Sequence, residues 1–322
     1  MTKGRLAGAL MLCGLIAAPL PAAQAQTLKK ISDGQVSKTA PNWPNFIATE
    51  KGFFRREGIE LETTYVGNVA NTVQQLVAGS FDVASSTFDT AIRAIGNGGN
   101  AVMIGGIVTK YPYSIMSVSD VKAAAGMRGK KVILPFPKDL LTIVWNRWLT
   151  DQGVKPADVE QVYTGATPNR LAALVSGAVQ AALLTQPFDF RAAAQGYRKL
   201  VDLGAFGKDY GFLVALARPQ WLRDNPDTAR GYLRALSAAV DWLYDPANRD
   251  EAIAILARET KLEPAIAAQT YDYYIKDLQP FSRKLAIPDQ IVSGTVKTLA
   301  DLGDIKPDAV TTKYVDGSYL PR

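Results

Sequence analysis

Two stretches of the sequence match each other closely. Residues 65–89 read YVGNVANTVQQLVAGSFDVASSTFD, and residues 163–189 read YTGATPNRLAALVSGAVQAALLTQPFD. Shifted by 98 positions, the Tyr65, Gly67 and Gly79 of the first stretch fall on Tyr163, Gly165 and Gly177, and two positions further on both end in Phe-Asp. Each stretch predicts a strand, a glycine turn, a helix, a second glycine and another strand. The repetition indicates two similar α/β lobes.

Strands and helices also alternate on both sides of these stretches. In the first lobe we expect strands over 59–66, 81–85 and 101–107 and helices over 70–78 and 89–95. In the second lobe we expect strands over 131–134, 159–164 and 181–184 and helices over 140–149 and 169–175. A strand over 212–217 precedes helices over 228–244, 249–258, 263–275 and 291–302. This order predicts a mainly parallel sheet in each lobe, with ligands bound beyond the carboxyl ends of the strands.

The N-terminus has the pattern of a secretory signal. Lys3 and Arg5 precede an apolar run over 6–20, and Ala23-Gln24-Ala25 supplies the small residues that a signal peptidase requires. The run is about 15 residues long, whereas a membrane-spanning helix needs about 20. We therefore expect residues 1–25 to be removed and the mature protein to be soluble in the periplasm.

Composition excludes several classes of chemistry. The 322 residues include no histidine, and the single cysteine, Cys13, lies within the expected signal peptide. Histidine-dependent nucleophiles, histidine metal sites and histidine acid–base catalysis are therefore absent. The formal net charge is +6, but the basic residues are scattered, so we expect no nucleic-acid partner. We also expect no metal and no cofactor. Ser-Lys or carboxylate catalysis remains formally open, although no nucleophile elbow is evident.

Four segments, taken in order, resemble one family of binding proteins. They are Ala48–Ile59, Leu76–Ala84, Met127–Val132, and Leu174–Leu184 with the Gln186-Pro187-Phe188 that follows. Together they resemble the periplasmic solute-binding proteins of the nitrate/sulfonate/taurine class of ABC importers, a group that includes binders of thiamine precursors. The resemblance covers residues 38–218.

The resemblance implies a type II periplasmic-binding-protein fold, an α/β fold with two lobes around a hinge. It implies that the chain crosses between lobes near 110–113 and 208–211. The expected division is therefore a signal peptide over 1–25, lobe 1 over 26–112, lobe 2 over 113–212, and a return to lobe 1 with C-terminal helices over 213–322.

The resemblance also implies a function without catalysis. A protein of this family captures a small solute between its lobes and delivers it to an ABC permease in the inner membrane. We expect this protein to act as a monomer. One alternative is a sensory binding protein that presents its ligand to a membrane receptor. Another is a pyrimidine-precursor enzyme on the same fold, but the related synthases consume an active-site histidine, which this chain lacks.

Candidate ligand-binding residues follow from the predicted strand ends. They are Asn42, Trp43, Asn68, Ser86 and Thr87 in the first lobe, and Phe136, Lys138, Thr167 and Gln186 in the second. Their side chains supply hydrogen bonds, apolar faces and one positive charge for a polar or anionic solute, with or without an aromatic body. Each has another interpretation: Thr87 and Thr167 as helix N-caps, Trp43 as a packing residue and Lys138 as a solvated charge.

The loop over 135–139 departs from the family pattern. The family usually has glycine and small hydroxyl residues at this place, whereas this chain has Pro135-Phe136-Pro137-Lys138-Asp139. Two prolines stiffen the loop, and Phe136 offers an apolar face. A sulfonate ligand therefore does not follow from the resemblance alone.

Overall fold

The computed structural model describes residues 1–2, 27–206, 210–307 and 311–321. The expected signal peptide over 1–25 lies outside the described residues except for its first two positions. In the described ranges, no helix combines the length and the apolar character needed to cross a bilayer.

Ten strands are formed by the described residues. They are β1 (Lys29–Gln35), β2 (Ile59–Tyr65), β3 (Val83–Thr87), β4 (Val102–Val108), β5 (Tyr113–Ser117), β6 (Lys131–Leu134), β7 (Glu160–Tyr163), β8 (Ala181–Thr185), β9 (Arg198–Asp202) and β10 (Leu213–Ala217). Two five-stranded sheets result, in the orders β2-β1-β3-β10-β4 and β7-β6-β8-β5-β9. In each sheet one strand, β10 or β5, runs antiparallel between its neighbours, while β1 and β6 pair in parallel on both sides. The predicted two-lobed α/β fold is confirmed.

Twelve α-helices cover the sheets in the described part of the chain. They are α1 (Trp43–Glu50), α2 (Phe53–Arg56), α3 (Val69–Ala78), α4 (Phe88–Gly96), α5 (Leu140–Asp151), α6 (Thr167–Val175), α7 (Phe188–Ala194), α8 (Pro219–Asp224), α9 (Pro226–Tyr244), α10 (Arg249–Thr260), α11 (Pro264–Tyr271) and α12 (Asp289–Asp301). A π-helical segment, Asp272–Leu278, continues α11.

The internal repeat corresponds to matching structural units. The unit β2-α3-β3 of the first lobe has its counterpart in β7-α6-β8 of the second. Gly79 and Gly177, which match in sequence, follow α3 and α6 with φ angles of 89° and 75°. Glycine adopts such angles without the steric cost that other residues meet, and the two helices end within one position of each other in the repeat.

Strand membership shows where the chain passes between the lobes. The first sheet contains the strands up to Val108 and again from Leu213, and the second contains those from Tyr113 to Asp202. This exchange supports the division near 112 and 212 that the resemblance implies, and we retain those limits as a proposal. Of the C-terminal helices, α9, α10 and α12 pack on the first lobe, whereas α11 packs against α10 and against α7 of the second lobe. Leu233, Leu236, Val240 and Leu243 form the fully buried stripe of α9.

Candidate functional site

A cavity lies between the lobes at the ends of the strands. It contains about 620 Å³ of empty space, counting the solvent at its mouth. Its polar lining consists of Gln35, Ser37, Thr39, Asn42, Ser85, Thr87, Asp139, Thr167 and Arg170. Its apolar lining consists of Val36, Pro41, Val69, Tyr113, Pro135, Phe136, Leu141, Phe212 and Leu213, with Gly165 beside them. Both lobes contribute, as expected for a ligand site at the strand tips of α/β sheets.

The two lobes touch each other around this cavity. The backbone N–H of Ala40 donates to the carbonyl of Gln186 at 3.1 Å, which joins the first lobe to the second. A Cβ atom added to Gly165 would lie only 2.6 Å from the carbonyl oxygen of Gly67, its partner in the repeat. The described structure is therefore a closed arrangement of the lobes.

Arg170 is the cation that faces the cavity. Its side chain is 1% exposed and lies on the buried face of α6 with Thr167, Leu171 and Leu174. Its guanidinium donates to three carbonyl oxygens, those of Leu183, Thr164 and Gly165, and to the hydroxyl of Thr167 at 2.8 Å.

No acidic side chain of the described residues forms an ion pair with Arg170 within 4.0 Å. Burial lowers the pKa of Arg170, and this shift is opposed by Tyr113 and Asp139. A buried charge is normally paired, because its lost hydration is costly. The cavity therefore presents a fixed positive charge that only neutral groups of the protein contact directly.

Asp139 faces the same cavity and is 3% exposed. One carboxyl oxygen, Oδ1, accepts the backbone N–H of Leu141 at 2.9 Å and caps α5. Burial, together with the nearby Asp89, raises the pKa of Asp139 to about 8. Tyr113 lies close by, and burial raises its pKa to about 12. Burial therefore favours the neutral form of both groups.

Strand alternation determines which serine of β3 reaches the cavity. Ser85 lines it, is fully buried, and has a hydroxyl with no hydrogen-bond partner among the described residues. Ser86 faces the opposite side of the strand, where its hydroxyl donates to the Thr87 carbonyl at 3.2 Å. Successive strand residues point to opposite faces, so the predicted Ser86 is one position away from the cavity residue. Thr87, two positions after Ser85, does line the cavity.

A chain of buried hydrogen bonds holds the wall of the first lobe. The amide nitrogen of Asn42 donates to Gln35 Oε1 at 2.7 Å, and Gln35 Nε2 donates to both carboxyl oxygens of Asp33 at 3.0 and 2.9 Å. The hydroxyl of Thr39 donates to the other end of Asn42 at 3.1 Å. Burial raises the pKa of Asp33 to about 7. The predicted Asn42 lies at the cavity, with an orientation that its neighbours fix.

Aromatic side chains supply the apolar faces. Phe136, predicted from the sequence, lines the cavity from the second lobe, and Phe212 lines it from the connection that returns to the first. Tyr113 packs edge-on against Phe212, with ring centroids 5.0 Å apart. Such surfaces suit the apolar body of an organic molecule.

Besides Ser86, two candidates of the first lobe do not line the cavity. Trp43 is fully buried in α1, where its indole N–H donates to the carbonyl of Ala252 at 3.1 Å and its ring packs against Tyr271 and Tyr274. Asn68 is the N-cap of α3, and its side-chain oxygen accepts the N–H of Ala70 at 2.8 Å. These hydrogen bonds of Trp43 and Asn68 are therefore made to neighbouring residues of the protein and not to a solute in the cavity.

Two candidates of the second lobe also lie elsewhere. Lys138 has a side chain that is 72% exposed, and its ammonium pairs with Asp304 at 2.6 Å on the rim between the lobes. Gln186 is fully buried and donates to Asp189 at 2.6 Å. Thr167, by contrast, lines the cavity at the first position of α6, although Ala166 rather than Thr167 is the N-cap.

Three residues that line the cavity, Arg170, Asp139 and Ser85, were not among the candidates predicted from the sequence. For Arg170 a signal was present, because Thr167, Arg170, Leu171 and Leu174 recur at helical spacing and a charge stands inside an otherwise apolar stripe. For Asp139 the signal was its place directly before an apolar helix, which indicates an N-cap and not a cavity residue.

Comparison with known proteins places this geometry in a family. A model of the NMT1-like family matches residues 35–257. The chain belongs to the NMT1-like family. One curated relative is YtlA of Bacillus subtilis (strain 168). It is 21% identical to this chain over 261 residues, which cover 79% of this chain and 78% of YtlA.

Solved structures show the same fold. The alkanesulfonate-binding protein SsuA from Xanthomonas axonopodis pv. citri, bound to MOPS, superposes with a TM-score of 0.73 at 18% identity, covering 92% of this NMT1-like chain and 100% of SsuA. The periplasmic nitrate-binding protein NrtA from Synechocystis PCC 6803 superposes with a TM-score of 0.69 at 20% identity, covering 89% and 84%. The resemblance to the nitrate/sulfonate class is confirmed at the level of family and fold.

Proposed function

We propose that this protein is the extracytoplasmic solute-binding component of an ABC importer and that its solute is a small organic anion. The observation that carries the ligand class is Arg170, a buried cation at the cavity with no acidic partner among the described residues. An anion in the cavity would supply the missing counter-charge. The aromatic walls formed by Phe136 and Phe212 favour an organic body over an inorganic ion.

The two-lobed architecture supports the proposed capture and delivery of a solute. Contacts between the lobes narrow the access to the cavity, so separation of the lobes would admit and release a solute. The closed form would be the form that a membrane permease recognises, and a monomer is sufficient for this role. Presentation to a sensory receptor would use the same closed form.

An enzymatic function has less support. The hydroxyl of Ser85 lines the cavity, but no described residue hydrogen-bonds it and so none activates it as a nucleophile. Non-covalent binding of a solute requires no residues beyond those that already line the cavity.

A thermal-shift experiment tests the proposed ligand class. The mature protein is heated with benzoate, ethanesulfonate or nitrate, and with benzamide as a neutral match to benzoate. We expect an organic anion to raise the melting temperature and benzamide to leave it unchanged, because only a ligand of the native state stabilises it. R170Q should lose the response, R170K should keep part of it, and the exposed R147Q should behave like the wild type. A response to benzamide equal to that of benzoate would contradict the proposal.

A further inference from the structure

Asp139 shares the N-terminus of α5 with a second carboxylate. The backbone N–H of Leu140 donates to Asp89 Oδ2 at 3.2 Å, and the next N–H, that of Leu141, donates to Asp139 Oδ1 at 2.9 Å. Asp89 comes from α4 of the first lobe and has a cation of its own, since Arg93 lies 3.6 Å away. Asp139 forms no ion pair within 4.0 Å in the described residues.

The second oxygen of Asp139 is the group that the fold leaves available. Hydrogen bonding within the described residues uses Oδ1, whereas the side chain as a whole is 3% exposed and lines the cavity. Ionisation would place an unpaired negative charge there beside Asp89, which is expensive in a buried position. Protonation instead provides a hydroxyl that can donate to a molecule in the cavity.

We infer that Asp139 binds the solute as a neutral carboxylic acid, donating a hydrogen bond to a solute oxygen, and thereby selects anions whose oxygen can accept it. The inference rests on the proposed function and names a specificity-determining residue of the same site. An anion held near Arg170 would repel an ionised Asp139, so binding and protonation of Asp139 favour each other. Solute affinity is then lost when Asp139 ionises.

Several other charged and titratable groups lie near Asp139. They are Asp89 and Arg93 on α4, Arg170 on α6, Tyr113 on β5, Tyr111 in the connection before it and Lys138 beside it in sequence. Burial raises the pKa values of both tyrosines, that of Tyr113 to about 12. Arginine stays protonated in proteins. For Asp139 itself, burial and Asp89 raise the pKa to about 8.

The experiment measures benzoate affinity by calorimetry from pH 6 to pH 9.5 on the mature protein and on D139N. Asparagine keeps the cap of α5 through its amide oxygen and keeps a hydrogen-bond donor, but it does not titrate. We expect wild-type affinity to fall about tenfold per pH unit above the midpoint of Asp139, while D139N changes less than about threefold over the range. D189N, which alters a buried carboxyl outside the cavity, should keep the wild-type fall.

Each outcome bears on one of the two proposals. The role of Asp139 is overturned if the wild-type affinity does not change with pH, or if the affinity of D139N follows the wild-type profile. Either result is what we would expect if Asp139 only capped α5. Absence of benzoate binding by all three proteins at pH 6 contradicts the organic-anion cavity instead, and the role of Asp139 fails with it.

Discussion

Replacing Gly165 by alanine should obstruct closure of the lobes while leaving each lobe folded. The added Cβ would lie 2.6 Å from the carbonyl oxygen of Gly67 and 3.2 Å from Cα of Asn68, both in the opposite lobe. Real Cβ atoms do not approach backbone atoms this closely, and a backbone group cannot swing aside as the end of a long side chain can. The φ angle of Gly165 is outside the left-handed region, so alanine is not strained at the position itself.

The expected magnitude follows from the cost of overpacking. Inserting one methyl group into a close contact costs about 1–3 kcal/mol. This cost falls on the closed form alone, so solute affinity should weaken by roughly five- to 150-fold. Titration calorimetry measures the affinity, and small-angle scattering measures the compaction expected on solute binding.

A matched glycine separates closure from a general effect of alanine. In G126A the new Cβ would lie 3.6 Å from Cα of Val121, an ordinary contact within the second lobe, so affinity and compaction should be unchanged. If G165A bound the solute within twofold of the wild type and compacted to the same radius, the contact between Gly165 and Gly67 would not belong to the closed form.

Three further outcomes are expected. W43A should destabilise the protein by about 3–5 kcal/mol in chemical denaturation because a buried indole is removed, while W43F should fold and bind with unchanged affinity; a selective loss of affinity in W43F would place Trp43 at the solute. K138M should weaken solute binding by only a few-fold and should make binding less dependent on salt, because an exposed ion pair between the lobes is lost. A loss of affinity beyond about 100-fold would instead show that Lys138 contacts the solute directly. The pKa of folded Asp33 is raised to about 7, so the native state holds this proton more tightly than the unfolded chain does, and the resulting stabilisation is present at pH 4 and is lost as pH rises to 7. The unfolding free energy of D33N should therefore decline less over that interval than that of the wild type. An identical decline would contradict the raised pKa of Asp33.

The sequence predicted the elements whose pattern is local. The repeated strand–glycine–helix–glycine–strand units appear in the structure at the expected positions, and α9 buries the stripe that its spacing indicated. By contrast, the limits of β1 were not predicted, because its buried Asp33 and Gln35 break the apolar pattern of a central strand. Their polar atoms are satisfied by partners that only the fold brings together.

The sequence predicted where the candidate site lies, at the strand ends, but it predicted only some of the residues that line it. Strand ends indicated Thr87, Phe136 and Thr167, which line the cavity with Asn42. The choice between Ser85 and Ser86 depended on strand register, which a short polar run does not specify. The partners of Lys138 and Trp43 lie more than 160 residues away in the chain, so no local pattern could show that an ion pair and a carbonyl occupy their polar atoms.

The position of β10 has a consequence for the synthesis of the protein. This strand stands between β3 and β4, so the first sheet lacks its fourth member until residue 217 has left the ribosome. The second sheet is built from the uninterrupted segment 113–202 and needs no later strand. The lobe encoded in the middle of the chain can therefore fold first, while the N-terminal strands wait with β3 and β4 unpaired along one edge. A nascent chain stalled between these two points would expose that edge to pairing with other chains.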